Sequence, residues 1–154
     1  MFNTTHDIYQ HIATHIVQCI QEPNWKTGWL IVSSNRGSET INIKTGYQSN
    51  GATKTFNPFY SAEHNLGKAT SSLFNLLKNK TNDNPFNKYK FTLNNDGTFD
   101  IEFKYDEDFA YMKSLDADSD EFDELLELDV TDQIESWEGL PEDHPRPWVT
   151  NTHL

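Results

Sequence analysis

Isoleucine recurs every four residues near the start of the chain, at Ile8, Ile12, Ile16 and Ile20. Tyr9, Ala13, Val17 and Cys19 widen the stripe, so residues 5–20 read as an amphipathic helix. Thr4 stands three residues before Asp7, the spacing of a capping box with Asp in place of the usual Glu, and Pro23 closes the helical region. The period then changes. Trp29-Leu30-Ile31-Val32 is apolar on both faces and is bounded by Gly28 and by Asn35-Arg36-Gly37-Ser38. Ile41, Ile43, Thr45 and Tyr47 alternate with polar neighbours, the pattern of a half-buried strand. Asn50-Gly51 marks a tight turn, and residues 52–56 make a short third strand that Pro58 stops. Leu66, Ala69, Leu73, Leu76 and Leu77 share one face of a second helix over about 61–80, with Ser61 as its cap and Gly67 weakening its first half. Residues 79–87, with Pro85, read as a loop.

The clearest pattern lies at 88–105. Tyr89, Phe91 and Leu93 alternate with Lys88, Lys90 and Thr92, and Phe99, Ile101, Phe103 and Tyr105 alternate with Asp100, Glu102 and Lys104. A slip of one residue would turn one strand's apolar set to the wrong face, so the period of two dictates the register. Phe91 should face Ile101, Leu93 should face Phe99, and Lys90 should pair with Glu102 on the other face. Asn95-Asp96-Gly97 is then a three-residue loop with Gly at its left-handed position.

Beyond this hairpin, Phe122, Leu125, Leu126, Val130, Ile134 and Trp137 form a stripe that predicts an acidic third helix over about 119–137. Asp120 and Glu121 suit its positive N-terminal end. A helix with such a stripe should dock on something, most simply the sheet. Residues 138–154, with Pro141, Pro145 and Pro147, read as an irregular tail that Trp148 pins down. The pattern as a whole predicts one α+β domain over 1–137, an antiparallel sheet of four to six strands covered by helices, with the acidic helix at its C-terminal end.

Composition adds two points. Hydrophobic residues are few at 35%, but 10 Phe, 6 Tyr and 4 Trp are more than a disordered chain carries. Cys19 is the only cysteine, so neither an intrachain disulfide nor a cysteine zinc cluster is expected. No basic and apolar leader is visible in residues 1–9, and the aliphatic run at 29–32 is too short to span a bilayer. A cytoplasmic location follows as an expectation.

Charge changes the picture more. Residues 1–105 carry 10 Lys and Arg against 8 Asp and Glu, a net of +2, whereas residues 106–154 carry 2 against 16, a net of -14. An acidic segment of this density disfavours nucleic acid and anionic membranes as direct partners and suits a basic protein. Charge alone slightly favours a plainer role, keeping the chain soluble.

Catalytic motifs are missing. There is no G-x-S-x-G elbow and no phosphate loop, and Cys19 lies on the apolar side of its helix, away from any activating charge. Asp116, Asp118, Asp120 and Glu127 fall at positions 1, 3, 5 and 12 of a calcium loop, but Glu121 occupies the place where that loop needs Gly. The acidic start of a helix explains them better. His11 and His15 stand four apart with His6 before them, but they lack a third ligand and read as boundary residues. Neither a metal nor a cofactor is expected, and no residue is assigned to catalysis.

At this point the order of elements resembles the YezG-like immunity proteins, which protect bacteria from polymorphic toxins. The matching pieces are IYQHIATHIVQCI at 8–20, WKTGWLIV at 25–32 and, above all, KYKFTLNNDGTFDIEFKYDED at 88–108. The resemblance covers roughly residues 8–108. Residues 49–80 match only in outline, and the tail from Leu115 departs from the pattern. It implies an immunity protein that binds a cognate toxin domain, often a nuclease, and carries no catalytic residues of its own. The expected contacts, read from charge, are Asp106, Asp108, Asp118, Asp120, Asp123, Glu124 and Glu127, with Trp137 as an apolar anchor. An acidic adaptor unrelated to toxins, or a hydrolase with an unrecognised site, are the alternatives.

Overall fold

Thr4 starts the first helix: its hydroxyl accepts a hydrogen bond from the Asp7 backbone N–H at 3.1 Å, satisfying a donor that helix starts leave over. In the computed structural model, which describes residues 4–34, 41–57, 69–70, 72–73, 76 and 86–148, this helix, α1, spans Thr5–Cys19. Its stripe buries Ile8, Ile12 and Ile16 completely. Each contributes roughly 1.5–3 kcal/mol of hydrophobic stabilisation. His15 is fully buried on the same face, further inside than the boundary position its spacing suggested.

Five strands follow: β1 (Trp25–Ser34), β2 (Ile41–Ser49), β3 (Ala52–Lys54), β4 (Lys88–Asn94) and β5 (Phe99–Lys104). They form one antiparallel sheet in the order β3-β2-β1-β4-β5. The α+β class and the four to six antiparallel strands expected are thus borne out. The strand that reads as apolar on both faces, β1, takes the centre. Leu30 lies between Thr45 of β2 and Phe91 of β4, and Val32 between Ile43 and Tyr89. Leu30, Val32, Ile43, Tyr89, Phe91 and the α1 stripe share one core, joined by Ala69 and Leu73, both in helical backbone. The rest of the helix read at 61–80, the turn at 35–38 and most of the loop at 79–87 lie outside the described residues.

The two hairpins follow their turn chemistry. Asn50 and Gly51 both take positive φ, 53° and 78°, and join β2 to β3 directly. In the other hairpin Phe91 faces Ile101, Leu93 faces Phe99 and Lys90 faces Glu102, as the alternation dictates. Gly97 sits at φ 93°, its N–H donating to the Asn94 carbonyl at 3.0 Å. On the outer face the Lys90 ammonium lies 5.7 Å above the Trp29 ring centroid. The Trp29 indole occupies the space beside Gly46 that any Cβ there would fill.

The chain divides into two compact units, residues 1–105 and 106–154. The second is helical: α2 (Glu107–Ser114), α3 (Asp120–Leu128) and α4 (Thr131–Glu135). Two expectations are corrected here. Helix α2 has no counterpart in the hydrophobic pattern, and the single helix over 119–137 is two. Asp129 adopts the left-handed conformation, φ 56° and ψ 43°, which ends α3 and turns the chain before Val130 and α4. The buried stripe residues Leu125, Val130 and Ile134 join Phe109, Met112 and Leu140 in a core of this unit's own. Residues 136–148 hold no helix or strand, and Trp148 pins them by stacking on Tyr111, with centroids 5.8 Å apart and planes at 9°. Among the described residues no helix is long and apolar enough to cross a membrane.

Candidate partner-binding surface

Ser119 fixes the start of α3, accepting from the Phe122 N–H at 3.2 Å and donating to the Asp116 carbonyl at 2.7 Å. The helix sequence DEFDELLEL then turns Leu125 inward, 1% exposed, and leaves every carboxylate outside. At 3.6 residues per turn, Asp120, Asp123, Glu124 and Glu127 fall within an arc of about 100°. Asp120, Glu121 and Asp123 in the first turn interact favourably with the helix dipole. Glu124 and Glu127 do not, and no basic residue stands in the last turn to offset them. The pairs at spacings of three and four are all repulsive, each costing about 0.2–0.5 kcal/mol.

The eight residues read as contacts separate into two kinds. Asp118, Asp120, Asp123, Glu124 and Glu127 are all exposed, on the turn entering α3 or on α3 itself. Asp106 is only 8% exposed, and its carboxylate accepts from the Phe109 N–H at 3.0 Å as the cap of α2. Asp108 is held by Arg146 in a two-pronged pair, with both N–O distances 2.9 Å. Arg146 also donates to the carbonyls of Pro141, Glu142 and His144, so the pair fastens the irregular segment to α2. The carboxylate of Asp108 raises the Arg146 guanidinium further above its usual value. Trp137 is half-buried just beyond α4.

Charge counting missed an apolar feature beside these carboxylates. A cleft of about 330 Å³ opens between the three helices, lined by Met112, Leu115, Phe122 and Leu126, with Lys113 and Glu135 at its margin. Leu126 is 51% exposed and Leu128 43%. No signal in the sequence marks the cleft, because Leu126 stands in the same apolar stripe as Leu125 and reads there as a docked residue. Nearby, burial and then the negative charges of Glu121 and Glu124 push the Tyr111 phenol above its ordinary range.

The other candidate chemistry finds no support in geometry. Glu121, at the position where a calcium loop turns, belongs to α3, and among the described residues no three His, Cys, Asp or Glu gather to hold a metal ion. In the first unit Tyr47 and Lys54 both donate to the same oxygen of Glu22. The Lys54 ammonium, with the Tyr47 hydroxyl beside it, holds the Glu22 carboxyl down to about 2. That trio ties the β2–β3 hairpin to the segment after α1 and has the character of a structural clip. No protein-family model matches the chain, and no curated protein matches it either.

Proposed function

We propose that the chain is a bacterial immunity protein that acts in the cytoplasm as a binder and has no catalytic role. It would neutralise a cognate toxin domain by covering the active site or substrate groove. The observation that carries this is α3: five exposed carboxylates on a nine-residue helix, repelling one another, with no basic residue in the helix itself. Local electrostatics that work against a helix's own stability are found where function requires them. A basic partner removes the repulsion on binding and gains from steering at long range. A nuclease toxin fits, because its groove is built to receive phosphates, and a row of carboxylates can stand in for them. The resemblance of residues 8–108 to YezG-like immunity proteins points the same way.

The test is capture with the full-length chain from the producing strain, identified by mass spectrometry, followed by assay of the captured toxin. The expected result is a basic toxin domain whose activity disappears at one equivalent of this chain. A toxin domain that stays fully active when saturated contradicts the proposal. Capture of a basic protein with no toxic activity favours the adaptor alternative.

A further inference from the structure

We propose that the cleft between α2, α3 and α4 is an anchor site for an amphipathic, lysine- or arginine-flanked helix of the protein partner. The proposal rests on the acidic surface being the partner-binding face, and it adds what that face grips.

Three observations lead to it. The first is the cleft itself, at the lower end of the roughly 300–1,000 Å³ typical of binding pockets, with side chains of Met112, Leu115, Phe122 and Leu126 on its walls. The second is exposure. Leu126 stays 51% exposed although Leu125, one position earlier, is 1% exposed, so water still covers apolar surface at this spot. The third is charge. On the helical net Asp123 and Glu127 both lie on one side of Leu126, while the lining itself holds one cation, Lys113, and one carboxylate, Glu135. The lining is balanced in formal charge, but the exposed carboxylates of α3 make one side of this apolar cleft acidic, which suits an occupant apolar at its centre and cationic on the edge that meets α3.

The backbone narrows the choice to a helix. All regular elements of this unit among the described residues are helices, whose amide groups are already paired internally. They offer no strand edge to which an extended peptide could add. An incoming helix brings its backbone already paired and needs no such edge, so an amphipathic helix with its apolar face in the groove is the occupant that fits.

The test uses the full-length chain, isotope-labelled at its methyl groups, and three helical peptides. The first contains Leu, Lys and Ala with the leucines on one face. The second has the same composition with the leucines scattered, and the third keeps the pattern with Gln in place of Lys. The first should bind, shifting the methyl signals of Met112, Leu115 and Leu126. The second and third should each bind at least about tenfold more weakly. Leu126→Asn should weaken the first peptide by about tenfold as well. Because Leu126 is half-exposed, this variant should keep the wild-type helical circular dichroism. Equal binding of the first two peptides, with no effect of Leu126→Asn, overturns the anchor while leaving the acidic surface as a partner site. Equal binding of the lysine and glutamine peptides overturns the cationic occupant. Absence of binding by the first peptide overturns the whole inference, and toxin capture then decides separately whether the surface has a partner at all.

Discussion

Aspartates that look alike in the sequence do opposite work here because of what stands opposite them. Asp108 meets the Arg146 guanidinium in a largely buried pair, while Asp123 and Glu124 are exposed on a helix that carries no basic residue. Arg146 in turn holds three carbonyls of the irregular segment, which has no ladder of its own to satisfy them. Replacing it with Ala leaves Asp108 buried without its cation. We expect Arg146→Ala to destabilise the second unit by about 1–3 kcal/mol in thermal melts followed by the Trp148 signal. Glu124→Gln, which relieves repulsion, should be neutral or stabilising by about 0.2–0.5 kcal/mol. An Arg146→Ala variant that melts like the wild type would show that the pair does not fasten the segment. The difference between these carboxylates could not be read in advance, since Arg146 lies 38 residues from Asp108 and irregular backbone brings it there.

At the scale of elements, the break between α3 and α4 depends on one residue. Asp129 is left-handed, a conformation that costs an L side chain free energy and a glycine little. It also places a negative charge at the negative end of α3. Asp129→Gly should therefore stabilise by about 0.5–1 kcal/mol, and Asp129→Asn by less, since it removes the charge alone. A lower melting temperature for Asp129→Gly would contradict this description of the cap. The stripe from Phe122 to Trp137 gives no sign of the break, because its members keep helical spacing on both sides of it. Helix α2 escapes for another reason: in eight residues it buries only Phe109 and Met112, too few to establish a period. By contrast, α1 and the β4–β5 hairpin are legible because four isoleucines, or two alternating strands around Asn-Asp-Gly, repeat one signal several times. Local pattern conveys elements with strong periods and misses those whose ends are set by a single backbone angle.

Across the whole molecule, the charge step and the structural division fall at the same place. Residues 1–105 carry a net of +2 and residues 106–154 a net of -14, and the compact units divide between 105 and 106. The polar half of the candidate surface is thus visible in composition. The apolar half is not, because a cleft requires three helices to meet and no sequence period marks their meeting. The two units also differ in content: the sheet unit holds all five strands and the larger core, and the helical unit holds the surface assigned to the partner. The most direct test of that assignment is the association rate of the captured toxin domain, measured by stopped flow across a range of salt. Wild type is compared with a chain in which Asp120, Asp123, Glu124 and Glu127 are replaced by Lys. The wild-type rate should fall steeply with ionic strength, and the reversed chain should associate at least about tenfold more slowly at low salt. Equal rates for the two chains, or a wild-type rate indifferent to salt, would contradict the assignment of the partner surface to α3.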